Sequence, residues 1–270
     1  MKHPIIKSLK IATMVTVTST LAMASSATAA TLKVTIESLA PENGTLFTPV
    51  WVGFHNGSFD IYDRDQPASP GLERIAEDGN AAVLSEEFFA SGAGSVDGVV
   101  PGPNGPIGSG DITQATFTVD STSRYFSYAA MILPSNDAFI ANGNPLAFEI
   151  FDEEGNFTGA DFTILGSQVL DAGTEVNDEQ QSTTAFFGQS IPDTGTPENG
   201  VVTLHPGFIP GGPILSTPGF AEADFTVDGY QIARIKVEKV PESSTTGGLL
   251  AIGGLLWLGS RWRQSLNRFA

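Results

Sequence analysis

Gln231-Ile232-Ala233-Arg234-Ile235-Lys236-Val237-Glu238-Lys239-Val240 sets Arg234, Lys236 and Glu238 against Ala233, Ile235 and Val237, one residue about. A period of two means a strand with one face in a core and the other in water. Read outward from there, the pattern recurs. Leu32-Lys33-Val34-Thr35-Ile36-Glu37 and Ala115-Thr116-Phe117-Thr118-Val119 alternate in the same way. Residues 49–54, 125–133, 147–151, 201–204 and 223–227 read as further strands, and 125–133 is long enough to cross a sheet. About eight short strands separated by long polar loops predict an all-β domain, an antiparallel β-sandwich.

One region breaks this pattern. Ser69-Pro70-Gly71-Leu72-Glu73-Arg74-Ile75-Ala76-Glu77 carries a serine N-cap and a proline at the first helical position, and Leu72, Ile75 and Ala76 share a helical face. A second short helix is expected near residues 82–89, the pair covering one end of the sandwich. Residues 92–110 are rich in Gly, Pro, Ser and Asn, and 171–200 are acidic and amide-rich. Both read as long loops, which in a compact domain are functional or mobile.

The chain has 270 residues, no cysteine, 13 Lys+Arg against 30 Asp+Glu, and a net charge of −17. That charge repels a polyanion, so no nucleic-acid partner is expected. The lack of cysteine excludes disulfides, thiolate zinc sites and cysteine nucleophiles. Both ends read as addresses. Lys2, Lys7 and Lys10 precede an uncharged stretch and then Ala27-Thr28-Ala29, the layout of a secretory signal peptide over residues 1–29. At the other end Pro241-Glu242-Ser243 precedes an apolar run over 247–259 and then Arg261, Arg263 and Arg268. That run is shorter than the roughly 20 residues of a stable membrane span, and the arginines hold its far end in the cytoplasm. The layout of residues 241–270 resembles the PEP-CTERM sorting tail of Gram-negative bacteria, with Ser243 where that motif has a second proline. The resemblance implies an exosortase-type processing enzyme and transient inner-membrane association. The six basic residues of the two ends lie outside the central domain (31–240), which is therefore more acidic than the whole chain.

No G-x-S-x-G, H-E-x-x-H or phosphate-binding loop occurs. His55 and His205 are expected to be hydrogen-bonded structural residues, and no enzymatic activity is expected. Metal binding is the stronger chemical signal. Asp171-Ala172-Gly173-Thr174-Glu175 places two carboxylates four residues apart across a glycine turn, so that both can curl toward one point as hard cations require. Asp137 follows the 125–133 strand, and Asn177 and Asp178 lie just beyond Glu175. If the two segments meet, Asp137, Asp171 and Glu175 form an oxygen-only site.

Thr48-Pro49-Val50, the helix from Ala68-Ser69-Pro70-Gly71-Leu72 to Glu77-Asp78-Gly79, Pro134-Ser135-Asn136-Asp137, Asp171-Ala172-Gly173-Thr174-Glu175 and Ile232-Ala233-Arg234-Ile235 stand in an order and spacing that resemble the spondin domain of F-spondin and mindin. The resemblance covers nearly all of residues 31–240. It implies an antiparallel sandwich with one bound Ca²⁺, and Asp137, Asp171 and Glu175 stand where that ion's carboxylates stand, with Glu175 in place of an aspartate. It also implies an extracellular, adhesive role, with extracellular matrix, exopolysaccharide or a cell-surface ligand as partner. Two other functions remain open on the residues. One is an exopolysaccharide-binding sandwich, with Trp51, Tyr62 and Phe89 as candidate platforms. The other is a secreted hydrolase using His55 or His205.

Overall fold

The computed structural model describes residues 29–241; residues 1–28 and 242–270, which carry the expected signal and sorting segments, lie outside the described residues. The described chain forms β1 (Ala29–Ser38), β2 (Leu46–Phe47), β3 (Val50–His55), α1 (Pro70–Asp78), α2 (Ala82–Ser91), β4 (Gly94–Val100), β5 (Ile112–Asp120), β6 (Tyr125–Leu133), β7 (Ala138–Ala141), β8 (Ala160–Leu165), β9 (Leu170–Asp171), β10 (Thr203–Leu204) and β11 (Gln231–Lys239). Eight of these strands have four residues or more, the others only two.

The strands make two antiparallel sheets in the orders β5-β1-β11-β8 and β10-β9-β7-β6-β3-β4, with β2 also on β6. The expected antiparallel sandwich is thus the fold. Alternation decides which face turns inward. Leu32, Val34 and Ile36 of β1 meet Ile235 and Val237 of β11 and, from the other sheet, Val50, Val52 and Phe54 of β3 and Phe126, Tyr128, Ala130 and Ile132 of β6 in one core. Phe54 lies 5.3 Å from Phe117 and 5.6 Å from Phe126 between ring centroids, in tilted geometries that aromatic quadrupoles favour. Emptying such a site to alanine costs about 3–5 kcal/mol. On the solvent face of the first sheet, Arg234 makes a bidentate pair with Asp161 at 2.7 Å per bond, and Lys33 reaches Glu238 at 3.4 Å.

The helices do not cover an end of the sandwich, as expected, but the outer face of the second sheet. Trp51 and Ala129, which point away from the first core, pack with Leu72, Ile75, Ala76, Leu84 and Phe88 in a second core. That second layer is why β3 and β6 are buried on both faces. Ser69 caps α1 as expected: its hydroxyl accepts the amide proton of Leu72 and donates to Glu87, and Gly79 closes the helix in the left-handed region at φ 65°.

Other expectations need correction. Part of the expected loop 92–110 is strand β4, paired with β3 although Gly94 and Gly98 dilute its pattern. Residues 147–151 form isolated bridges from Glu149 to Tyr125 and from Phe151 to Phe157 rather than a strand, and 223–227 are turns that bury Ala223 and Phe225 in the main core. In β11 a bulge at Ile232 turns both Ile232 and Ala233 inward, against the strict alternation of the sequence.

Candidate metal centre

Strand register brings the two acidic segments together. Asp171 in β9 pairs with Ala138 in β7 on one side and with Thr203 in β10 on the other. Asp137 immediately precedes β7, in the buried turn after β6, where the Ser135 hydroxyl accepts from the Ala138 amide at 3.1 Å. The carbonyl of Asp137 accepts from Ala172 N at 3.2 Å. Beyond β9 the chain turns at Gly173, whose φ of 68° and close approach to the Val201 backbone leave no room for a side chain.

Asp137 is fully buried, and Asp171 and Glu175 are nearly so. The Oδ2 atom of Asp137 accepts from Thr174 N (2.8 Å), Glu175 N (3.1 Å) and Thr174 Oγ1 (3.1 Å). Asp171 Oδ1 accepts from Gly173 N at 2.7 Å, and Oδ2 from Asn177 Nδ2 at 2.5 Å. Glu175 Oε1 accepts from Gly195 N at 2.8 Å, and a side chain at Gly195 would overlap that carboxylate. Residues 196–200 are tied to the same turn: Val176 N donates to Thr196 O, Glu198 N to Thr174 O and Gly200 N to Gly173 O. The acidic loop 171–200 is therefore fastened over the site.

Two carboxylate oxygens are left over. Asp137 Oδ1 and Glu175 Oε2 are buried without a hydrogen-bond partner, and the amide Nδ2 of the adjacent Asn136 shares that condition. Among the described residues only Ser38 Oγ and Thr184 Oγ1 are comparable, so most of the unsatisfied buried polar atoms gather in this one place. A buried carboxylate oxygen is costly unless a proton, a donor or a cation meets it, and the neighbouring Asn136 side chain draws the Glu175 pKa down. The environment opposes ionisation on balance. Burial and the Asp171 charge push the Asp137 carboxyl up to about 7; burial and the Glu77 charge push Glu175 up to about 7. An all-oxygen donor set with two free oxygens, in a field that disfavours its own charge, fits a hard divalent cation.

Glu77 was not among the expected site residues. It projects from α1, is buried, and has its carboxyl raised by burial. The oxygens of Glu73, Glu77 and Asp193 all lie within 4.8 Å of one another, whereas among the described residues Asp137, Asp171 and Glu175 do not form such a group. Arg74 already fills the first cluster: its guanidinium contacts Glu77 and lies 3.0 Å from Asp78 and 3.3 Å from Asp193. Asp137, Asp171 and Glu175 have no such cation beside them in the ion pairs of the described residues.

The Spondin_N family model matches residues 36–186, more than half of the chain. The chain belongs to the Spondin_N family. The match takes in α1 and all three expected acids of this spondin domain but ends before β10 and β11, so the closing strand that contributed to the sequence resemblance lies outside it. No curated protein matches the chain.

Most of the other candidates in this spondin domain occupy packed positions. His55 and Ser127 are fully buried, with Nε2 and Oγ 2.9 Å apart. Gly57 N donates to His55 Nδ1, so the neutral ring carries its proton on Nε2 and donates it to Ser127. A general base would have to accept the serine proton there, so this pair is not a nucleophile and its base. Trp51 is wholly buried and gives its indole proton to Ser85 and Asp97, which removes it as a sugar platform. Tyr62 packs edge-on against Phe139 at 5.6 Å, and only Phe89 is exposed, at 51%.

Proposed function

We propose that this spondin domain is a non-enzymatic, exported cell-surface or extracellular-matrix module that holds a structural Ca²⁺ at Asp137, Asp171 and Glu175. The observation that carries the reading is the pair of buried, unpartnered oxygens, Asp137 Oδ1 and Glu175 Oε2, within one hydrogen-bonded turn. When bound, Ca²⁺ supplies the positive charge that lets these carboxylates ionise together. The residues themselves do the holding. The Thr174 and Glu175 amides orient Asp137, and Gly195 orients Glu175. Asp171 links the β7 edge to the 171–200 loop.

The role follows from that linkage. The 171–200 loop and the adjoining β10 leave Val176, Ile191 and Leu204 exposed, and an adhesive surface needs such a loop held in one shape. Matrix, exopolysaccharide or another cell-surface ligand is the proposed partner. In this reading the signal peptide is removed on export, and an exosortase-type enzyme processes the tail after transient membrane association.

Ca²⁺ that binds only the folded state at 100 times its Kd stabilises it by about 2.7 kcal/mol. Thermal melting of the purified protein in Ca²⁺ and in chelator tests the site: a higher Tm in Ca²⁺, largely lost in Asp171→Asn, is expected, and identical curves refute it. Mass spectrometry of the mature protein from its host tests the sorting, with new ends near Ala29 and Pro241 expected and an intact tail contradicting it.

A further inference from the structure

We infer that His205 and Asn177 form a fixed relay that orients Asp171 for the cation, so that cation affinity depends on a histidine with no place in the coordination shell. The inference rests on the proposed Ca²⁺ site and adds two residues to it. Asn177 lies inside the span matched by the family model and His205 beyond it, so the relay joins the site to the later part of the chain.

The chain of donors has one direction. Gly207 N donates to His205 Nδ1 at 3.0 Å. A ring nitrogen that accepts carries no proton, so the proton of the neutral ring is on Nε2. Nε2 lies 3.1 Å from Asn177 Oδ1 and donates to it. That contact fixes which end of the Asn177 amide faces the histidine, and Nδ2 is left to face Asp171, where it donates to Oδ2 at 2.5 Å. With Gly173 N on Oδ1, each oxygen of Asp171 is held by one donor and keeps a lone pair for a cation.

The surroundings keep the ring still. His205 is 7% exposed and sits edge-on against Phe208 and Phe225, at centroid distances of 6.1 and 5.3 Å. Its own amide donates to Val169 O at 3.1 Å, two residues before Asp171. Burial also holds the ring neutral, with its pKa pushed down to about 4. A partner behind a ligand fixes that ligand's orientation, and loss of such a partner typically weakens metal affinity by about 10–100-fold. If His205 served packing alone, its loss would lower stability without touching affinity.

The test uses the full chain with Asn177→Ala, His205→Ala and the double variant. Ca²⁺ affinity is measured by calorimetry, Tb³⁺ luminescence gives a second readout, and Tm in chelator reports the fold. Each single variant is expected to weaken Ca²⁺ by about ten-fold or more, and the double variant by no more than the weaker single one, because the two act in series. Wild-type affinity in a variant that melts lower in chelator would overturn the relay and leave the Ca²⁺ site standing. Fully additive losses in the double variant would overturn it too. A wild-type protein that binds no Ca²⁺ would overturn the site and the relay together. Asn177 is only half-buried, so Asn177→Ala decides the matter if His205→Ala does not fold.

Discussion

Asp137→Asn should make the protein more stable without Ca²⁺ and nearly insensitive to it. The substitution keeps the shape: the asparagine carbonyl can take the place of Oδ2 and accept from Thr174 and Glu175, while the amide replaces the partnerless Oδ1. What disappears is a buried charge. The folded pKa of Asp137 is about 7 against 3.8 for the free group. Its contribution to stability is therefore whole below pH about 4 and lost as pH rises toward 7. At 1.36 kcal/mol per unit, the ionised group opposes folding by up to about 4 kcal/mol at pH 8. Asp171 and Glu175 share the repulsion, so about 2–4 kcal/mol is the expected gain, or a rise in Tm of about 5–10 °C for a domain of this size. Melting curves at pH 8 should place the variant above wild type in chelator, with the gap closing in millimolar Ca²⁺ because only the wild type gains about 2.7 kcal/mol at 100 times its Kd. At pH 5 in chelator the difference should shrink. A variant that melts below wild type in chelator at pH 8, or that responds to Ca²⁺ as wild type does, would refute the reasoning.

Gly195→Ala places a methyl group on the Glu175 carboxylate, in a loop that is otherwise mostly exposed. It should lower the melt in chelator and also abolish most of the Ca²⁺-dependent rise in Tm; an unchanged Ca²⁺ response would show that Glu175 is not a ligand. Ser69→Ala removes the cap of α1 and should cost about 1 kcal/mol with or without Ca²⁺, which urea titration in both conditions would measure. His55 is buried with its pKa lowered to about 4 by burial, below the ordinary 6.5. Its stabilisation is thus lost as pH falls from about 6.5 to about 4, by up to about 3 kcal/mol. His55→Gln should flatten that part of the stability–pH curve, and an equal slope in both proteins would count against it.

The outline of the fold was legible where one side of a strand meets water. β1, β5 and β11 alternate because their polar faces are solvated, and the alternation survives in the sequence. β8 alternates as well, over Ala160, Phe162 and Ile164 against Asp161 and Thr163, and the pattern was there to be read. β4 carries no such signal. Its glycines let the Phe117 ring lie against the backbone at Gly98, and only pairing with β3 makes it a strand. Residues 223–227 look like a strand because Ala223 and Phe225 are apolar, but those side chains fill the core from a turn. The placement of the helices was illegible because it depends on Trp51 facing outward from β3.

At the proposed site, the four-residue spacing of Asp171 and Glu175 around Gly173 and the position of Asp137 after a strand singled out the three acids as candidates. Asn177 was visible as a neighbour in sequence. Glu77, Gly195 and His205 reach the centre from elements 98, 20 and 30 residues from Glu175 in the chain. No local pattern encodes such contacts. The repulsion between Glu77 and Glu175 and the hydrogen bond from Gly195 exist only once the sandwich has closed.

The most direct test of the account is Ca²⁺ stoichiometry on the full chain, by native mass spectrometry and calorimetry after exhaustive chelation. One Ca²⁺ per chain is expected for the wild type and none for Asp171→Asn. A wild type that takes up no Ca²⁺ at millimolar concentration, or an Asp171→Asn protein that still binds one ion with wild-type affinity, would contradict it.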